Sequence, residues 1–129
     1  MITFRPFRAI RPCPEVAPAV ASRPYDVLDS QEAKEEAAGN SNSFLRVIKP
    51  EIDLPDSTDL YSDEVYQKGR ETFLEMIANG TFITDSVPSF YVYRLTMDGR
   101  SQTGLVGCCN FEEYYEGKIK KHELTRTAK

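Results

Sequence analysis

The sequence contains one histidine, three cysteines and no long apolar run, and each scarcity excludes a class of protein. Cys108 and Cys109 are neighbours and Cys13 stands alone, which suits neither a disulfide framework nor a thiolate metal cage. We therefore expect small buried or half-buried thiols. No stretch approaches the roughly 18–20 apolar residues that cross a bilayer, and the N-terminal residues lack the apolar core of a signal peptide. The expectation is a cytoplasmic protein without a membrane partner.

Positive charge is also scarce, because the sequence has 16 lysines and arginines against 20 aspartates and glutamates, which gives a net charge of −4. General binding to nucleic acid needs a positive field, so a nucleic-acid partner is not expected. The 129 residues, 40 % of them apolar and 28 % charged, fit one globular domain. No internal repeat or flexible linker divides the chain, and the oligomeric state is left open.

Local signals in the first half of the chain predict short elements. Alternating bulky and basic residues in ITFRPFRAIRP predict a short edge strand limited by its prolines. Asp29 and Glu32 have capping-box spacing and Gly39 follows EAKEEAA, so we expect a helix from Ser30 to Ala38. The segment SFLRVIK has the alternating and β-branched residues of a strand.

The clearest helix begins at Ser62 and ends before Gly80, and we expect it to cover a sheet. Its apolar positions are Val65, Tyr66, Gly69, Phe73, Leu74 and Ile77. Downstream, Asp98-Gly99 lies between the alternating runs SFYVYRLTM and RSQTGLVGCCNF, which is the strongest short-range signal for a two-residue type I′ hairpin. Gly104 and Gly107 indicate close packing or a bulge in the second hairpin strand.

Taken together, these elements predict an α+β fold for residues 1–129 as a single domain. The predicted architecture is a small mixed sheet with a C-terminal β-hairpin, covered by helices. After FEEYYE, Gly117 should end a helical turn. The segment IKKHELTRTAK that follows has only two isolated apolar residues, so its own burial cannot hold it in place.

Two patterns resemble known motifs but fail at decisive residues. His122-Glu123 begins like the zinc motif H-E-x-x-H, but Arg126 occupies the position of the second histidine, so no metal ligands are assigned. GRSQTG has the glycine spacing of a P-loop, but Leu105 replaces the lysine and a strand is expected after it instead of a helix.

The strongest candidate for chemistry is the basic C-terminal segment, residues 118–126. Ammonium and guanidinium groups suit phosphate oxygens, and a histidine or a glutamate can move a proton near neutral pH. Its candidate residues are Lys118, Lys120, Lys121, His122, Glu123 and Arg126. The alternative is that the segment is a solvated basic tail, because basic runs usually serve solubility.

Two further polar sets are also candidates. One set is Tyr25 and Asp26 after Pro24, which could form a substrate site together with Asn40, Asn42 and Arg46. The alternative is that Pro-Tyr-Asp simply forms a turn, in which the aspartate side chain caps nearby backbone amides. On the hairpin, Arg94 and Gln102 are expected to face each other across the strands, and such pairs usually stabilise a sheet surface.

Several ordered segments together resemble one family. FRPFRAIRP, RPYDVLDSQEA, GNSNSFLRVIKPEIDLP, YVYRLTMDGRSQTGLVGC and GKIKKHELTR look like the N-terminal part of the bacterial and archaeal family called domain of unknown function 1015. Members of that family are longer, and in them the segment resembling KIKKHELTR leads to an Asp-Gly-His-His-Arg motif that this sequence lacks. The resemblance therefore implies the N-terminal part of a longer protein, with the remainder of the chain as partner.

The resemblance also implies a reaction class. A Gly-His-His-Arg motif is similar to that of the ParB and sulfiredoxin-like fold, some of whose members are nucleotide-dependent kinases of free serine. The implied function is a phosphotransferase acting on a small hydroxyl substrate, using ATP or ADP with Mg²⁺. In it His122, Glu123 or, in reserve, Asp26 would be catalytic, while Lys121, Arg126, Tyr25, Asn42 and Arg46 would bind phosphate or substrate. The alternative is a non-catalytic ligand-binding or interaction domain.

Overall fold

The computed structural model describes residues 1–121 and divides them into two compact units. One unit contains Met1–Ile10 and the described residues from Thr84 onward, and the other is Arg11–Ile83. The prediction of a single domain stays a prediction. In the described part of the chain no helix has the length and apolar character needed to cross a membrane.

The Arg11–Ile83 unit is mainly helical. Its helices are α1 (Ala17–Val20), α2 (Ser30–Glu36), α3 (Leu45–Ile48) and α4 (Asp63–Ala78), with 3-10 turns at Tyr25–Val27 and Pro50–Asp53. Two short strands that lie mostly in this unit, β2 (Ile10–Pro12) and β3 (Phe82–Thr84), pair with each other.

The capping box of α2 and the glycines after α2 and α4 confirm the sequence predictions, although α2 ends at Glu36 and not at Ala38 as predicted. Asp29 accepts a hydrogen bond from the Glu32 amide at 2.8 Å, and the Glu32 carboxylate accepts one from the Asp29 amide at 3.0 Å, which forms the predicted capping box. Gly39 and Gly80 follow the two helices with φ of 72° and 82°, a region that glycine enters without steric cost. Ser62 precedes α4, although its hydroxyl makes no capping bond.

The segment SFLRVIK forms the helix α3, so the predicted strand is wrong. Leu45 and Ile48 pack in one apolar cluster, whereas Phe44 and Val47 pack in another. Residues three apart share a face of a helix but lie on opposite faces of a strand. Only the helical conformation lets each pair fill its own cluster.

Two apolar clusters form the core of this unit. The first contains Leu28, Ala33, Ala37, Leu45 and Ile52, with Ile48 beside it. The second contains Val20, Met76 and Phe82, with Val16, Phe44, Val47, Phe73 and Ile77 beside it. Helix α4 packs mainly against α3 and the Pro50–Asp53 turn, and it also contacts the small β2–β3 sheet, where the Phe73 and Phe82 rings lie 5.7 Å apart. Tyr66 and Leu74, expected on its apolar face, are exposed.

The other unit contains the remaining strands and one helix. These are β1 (Phe4–Arg5), β4 (Tyr91–Met97), β5 (Arg100–Val106), β6 (Cys108–Cys109) and α5 (Phe111–Tyr115). β1 pairs antiparallel with β6, and β4 pairs antiparallel with β5. The Phe4 and Phe90 rings stack, and the Tyr91 hydroxyl accepts a hydrogen bond from the Ala9 amide at 2.9 Å and donates one to Asp85 Oδ2 at 2.6 Å. These contacts hold β4 to the N-terminal residues.

The hairpin turn confirms the strongest local prediction. Asp98 and Gly99 both have positive φ, 51° and 75°, as a type I′ turn requires. Gly107 confirms the expected close packing, because a Cβ there would lie 2.6 Å from the Phe4 ring. Gly104 has no comparable contact, since its nearest neighbour would be 3.9 Å away.

The hairpin register corrects one predicted side-chain pair. A two-residue turn places Met97 opposite Arg100, which puts Arg94 opposite Thr103 and not opposite Gln102. The Arg94 Nε donates to Thr103 Oγ1 at 3.1 Å. Gln102 lies opposite Leu95, on the other face of the hairpin.

Both hairpin strands are exposed along most of their length. Alternation places Tyr93, Leu95 and Met97 on one face, and all three side chains are exposed. The α+β class is confirmed, and the described strands pair two by two in small separate sheets.

Candidate functional site

The basic segment 118–126 follows α5, and α5 is the element that fixes where the segment begins. Asn110 caps this helix, because its side-chain oxygen accepts a hydrogen bond from the Glu112 amide at 3.1 Å. Gly117 ends the helix with φ of 75°, as predicted. The backbone carbonyl of Glu113 then accepts hydrogen bonds from the amides of Lys118 at 3.0 Å and Ile119 at 3.2 Å. The first residues of the basic segment are thus tied to α5.

Glu113 also anchors α5 to the N-terminus. Its side chain is buried, with 7 % of the residue exposed. The Thr3 amide lies 3.1 Å and 2.9 Å from the two carboxylate oxygens, and the Thr3 hydroxyl donates at 3.0 Å. The Thr3 amide is the main cause that lowers the pKa of Glu113 below its ordinary value of 4.5. Burial raises this pKa, but the Thr3 hydroxyl, Lys118 and the N-terminal ammonium act in the same direction as the Thr3 amide, and the net effect is a lowered pKa.

Two lysines of the basic segment have partners on or beside α5. The Lys118 ammonium pairs with Glu116 at 2.5 Å, where both side chains are about half exposed. The Lys121 ammonium lies 5.0 Å from the centre of the Tyr114 ring, within cation–π range. His122, Glu123 and Arg126 lie outside the described residues. Their predicted roles stay predictions.

Arg46 and Asn42 belong to a network that closes the end of α2. Arg46 donates from Nε to the Asn40 carbonyl at 3.0 Å and from Nη2 to the Ala37 carbonyl at 2.8 Å, and its Nη1 pairs with Asp53. The Asn42 amide donates to the Asn40 side chain at 3.1 Å. The Arg46 fork is directed at groups of the fold, which is a sufficient reason for an arginine at this position.

Tyr25 and Asp26 lie in an exposed 3-10 turn after Pro24. The Tyr25 ring lines an open cleft, and neither Asn42 nor Arg46 lines that cleft. The structure therefore brings Asn40, Asn42 and Arg46 together but does not gather the whole predicted set into one site. The assignment of these residues to substrate binding stays a prediction.

The cysteines differ from expectation in their exposure. Cys13 is half-buried, as predicted, but Cys108 and Cys109 are exposed on β6, and all three are free thiols. A two-residue strand paired only with β1 has too few neighbours to cover them. Within residues 1–121, no group of three or more histidine, cysteine, aspartate or glutamate side chains converges in a way that could hold a metal ion.

Glu113 was not singled out from the sequence. It belongs to a run of acidic and aromatic residues, FEEYYE, in which nothing distinguishes it from Glu112 or Glu116. Its partner Thr3 is 110 positions away, and a single sequence carries no signal for such a pair.

Replacing Glu113 with glutamine should give a pH-dependent loss of stability. Because the folded state lowers the pKa of this group, its ionisation stabilises the fold above about pH 4.5, and that contribution is lost as pH falls through the folded-state value. The difference in Tm between wild type and Glu113→Gln should therefore be larger at pH 7 than at pH 3, as measured by circular dichroism. Glu71→Gln is the control, since it removes an exposed charge but none of these hydrogen bonds. A difference that does not change with pH would contradict the assigned role of the carboxylate.

Comparison with known proteins identifies the family and leaves its activity open. None of the curated proteins matches the chain, and none of the solved structures does. The predicted relationship to the ParB and sulfiredoxin-like fold stays a prediction. The family model with the description "Protein of unknown function (DUF1015)" matches residues 4–129. The match covers nearly the whole chain and agrees with the resemblance seen in the sequence, so this protein belongs to the DUF1015 family.

Proposed function

We propose that the basic segment 118–126 binds phosphate in a cytoplasmic, nucleotide-dependent phosphotransferase that acts on a small hydroxyl compound such as free serine. The observation that supports this most is the attachment of the segment to α5, where the Glu113 carbonyl accepts the amides of Lys118 and Ile119. A basic run that begins at a fixed point can present its charges to an anion at a lower entropic cost than a free tail can. Other parts of the intact protein would complete the site.

The described part of the segment fits a phosphate ligand better than a metal ion. Lys121 is exposed and rests on the Tyr114 ring, which leaves its ammonium accessible to an anion. The metal-binding side-chain types do not converge within residues 1–121, so a Mg²⁺ ion would be held chiefly through the phosphates of ATP or ADP. When bound, that nucleotide would supply the phosphoryl group.

In this proposal the residues of the segment divide the work between charge and proton transfer. Lys121 and Arg126 neutralise the charge that develops on the phosphoryl oxygens. His122 or Glu123 accepts the proton of the substrate hydroxyl as its oxygen forms the new bond to phosphorus and the bond to the leaving nucleotide breaks. Asp26, exposed in its 3-10 turn, is the reserve candidate for the base or a metal ligand.

A second candidate function is ligand binding without catalysis, in which the same basic residues only hold an anion. It is favoured by the state of Glu113, whose backbone carbonyl accepts hydrogen bonds from the start of the segment and whose side-chain carboxyl group has a lowered pKa. Its hydrogen bonds to Thr3 leave it ionised and engaged, so it is poorly suited to accept a substrate proton. Binding without turnover would distinguish this function from the first.

Glu123→Gln and Arg126→Ala in the intact protein test the proposal. Each should lower kcat and kcat/KM together by about 10²-fold or more with little change in KM, because these groups would act mainly in the transition state. The measurement is turnover of ATP or ADP with free serine, with Lys68→Gln on α4 as the control for loss of one positive charge. Residues 1–129 alone should show no turnover.

Normal turnover in Glu123→Gln or Arg126→Ala would remove this segment from the active site. If the intact protein binds ATP or inorganic phosphate through Lys121 and Arg126 but transfers nothing to a hydroxyl acceptor, the non-catalytic function is the correct one. Measurable turnover by residues 1–129 alone would contradict the dependence on other parts of the protein.

A further inference from the structure

The Arg11–Ile83 unit contains an open cleft whose lining includes none of the residues of the basic segment 118–126. Three tyrosines line it: Tyr25 from the 3-10 turn, Tyr61 just before α4, and Tyr66 in the first turns of α4. Its volume is about 480 Å³. Small-molecule sites in proteins commonly have roughly 300–1,000 Å³, so the cleft is large enough for one small ligand.

The three tyrosines are largely exposed to solvent, with between 60 % and 79 % of each residue exposed. None of the three rings is in stacking contact with another described aromatic ring, so their faces remain free for a ligand. An aromatic ring gains from stacking or edge contact with another π-system. Three such rings around one cleft favour a planar, aromatic ligand.

The charges at the cleft favour an anion. Lys49 and Arg70 line it, with Glu51 as the one acidic residue. The Lys49 ammonium lies 3.5 Å from the Glu51 carboxylate, and that carboxylate also accepts a hydrogen bond from the Ser30 hydroxyl at 2.7 Å. Lys49 and Glu51 therefore largely cancel each other. Arg70 is exposed, and no described acidic residue pairs with it, which leaves one positive charge at the cleft.

Helix α4 places Tyr66 and Arg70 next to each other. Tyr66 and Arg70 are four residues apart, so their side chains are neighbours on one face of the helix. Gly69 lets α4 approach Val47 and Pro50 closely, because a Cβ at this position would lie 2.9 Å from Pro50 Cγ and 3.0 Å from the Val47 carbonyl oxygen. The wall of the cleft is thus a packed helix and turn, not a loose loop.

We propose that this cleft binds a small planar aromatic anion, with the ring system against the tyrosines and the negative group at Arg70. The site is separate in sequence from residues 118–126, and it does not require that the protein transfers phosphate. A mononucleotide such as AMP has both recognition elements and is a suitable probe.

Isothermal titration calorimetry with AMP tests the proposal. AMP should bind to the wild-type chain, whereas adenosine, which lacks the anion, and inorganic phosphate, which lacks the ring, should each bind at least about fivefold more weakly. Tyr66→Ala and Arg70→Gln should each weaken AMP binding by about fivefold or more. Amide resonances of α4 around residue 70 should shift when AMP is added.

Matched variants show whether AMP binds at this cleft or elsewhere on the chain. Tyr115→Ala removes an exposed tyrosine that does not line the cleft, and Lys68→Gln removes a positive charge from α4 that does not line it either, so both should bind AMP like wild type. Weaker AMP binding in Tyr66→Ala and Arg70→Gln than in these two controls distinguishes the cleft from the basic segment. Absence of AMP binding, or binding that Tyr66→Ala and Arg70→Gln leave unchanged, would overturn the proposal. Equal affinity for adenosine and AMP would overturn the role of Arg70.

Discussion

Replacing Leu45 with alanine should lower the free energy of unfolding by about 3 kcal/mol, within the range of roughly 2–5 kcal/mol for large-to-small changes in a core. Leu45 is fully buried at 0 % exposure and is the largest side chain so enclosed among the described residues. It packs with Leu28, Ala33 and Ile52 from different elements. The small alanines around it cannot move far enough to fill the space, so most of the cavity should remain.

Urea unfolding followed by circular dichroism would measure this loss. Leu74→Ala is the matched control, because Leu74 also lies in a helix but is 45 % exposed, so its truncation should cost about 1 kcal/mol or less. Equal losses in the two variants would show that the Leu28–Ile52 cluster is not a tightly packed core.

Replacing Arg46 with methionine should also be strongly destabilising, by about 2–3 kcal/mol, because three partly buried acceptors lose their hydrogen bonds to one guanidinium group. Methionine retains much of the apolar stem but donates no hydrogen bonds, so the carbonyls of Ala37 and Asn40 each lose their charged donor and keep only a backbone amide as partner. Asp53 is left without its cation in a setting where only 23 % of its side chain is exposed. Arg46→Lys should recover little of the stability, because an ammonium cannot span these acceptors as the planar guanidinium does.

Arg23→Met is the control for Arg46→Met. Arg23 pairs with Glu36 at 2.5 Å, but its side chain is 58 % exposed, and such pairs contribute about 1 kcal/mol or less. If Arg46→Met is no more destabilising than Arg23→Met, the donors of Arg46 are not needed by the fold. The predicted role of Arg46 as a phosphate ligand would then gain support.

The local signals in the sequence were sufficient for helix ends and for the hairpin turn. The capping box of Asp29 and Glu32, the glycines after α2 and α4, and the Asp98-Gly99 turn each depend on residues within a few positions of one another. Backbone sterics and side-chain capping act over that distance, so a single sequence contains the necessary information.

Elements whose conformation depends on distant contacts were predicted less well. The apolar residues of SFLRVIK suit a strand as well as a helix, and the choice was made by two apolar clusters that need pairs of residues three apart. The predicted Arg94–Gln102 pair failed because a shift of one residue moves a side chain to the other face of a strand.

The candidate site also depends on contacts between residues that are far apart in the sequence. The basic composition of residues 118–126 is visible in the sequence, but the attachment of the segment depends on Glu113 and, through it, on Thr3 at the other end of the chain. The tyrosine cleft was only partly anticipated, since Tyr25 was a candidate whereas Tyr61, Tyr66 and Arg70 were not. Helical spacing places Tyr66 beside Arg70, but only the fold brings Tyr25 to the same cleft.

The exposed hairpin has a consequence for how the protein behaves at high concentration. β4 and β5 form a sheet of only two strands, so each has an outer edge whose backbone amides and carbonyls have no strand partner in the described part of the chain. Tyr93, Leu95 and Met97 add an exposed apolar face, and neither strand contains the proline that often protects an edge. Strands of this kind add readily to one another between molecules, and Arg94 and Arg100 are the only charged side chains within them to oppose it. Aggregation of concentrated samples should therefore begin at this hairpin.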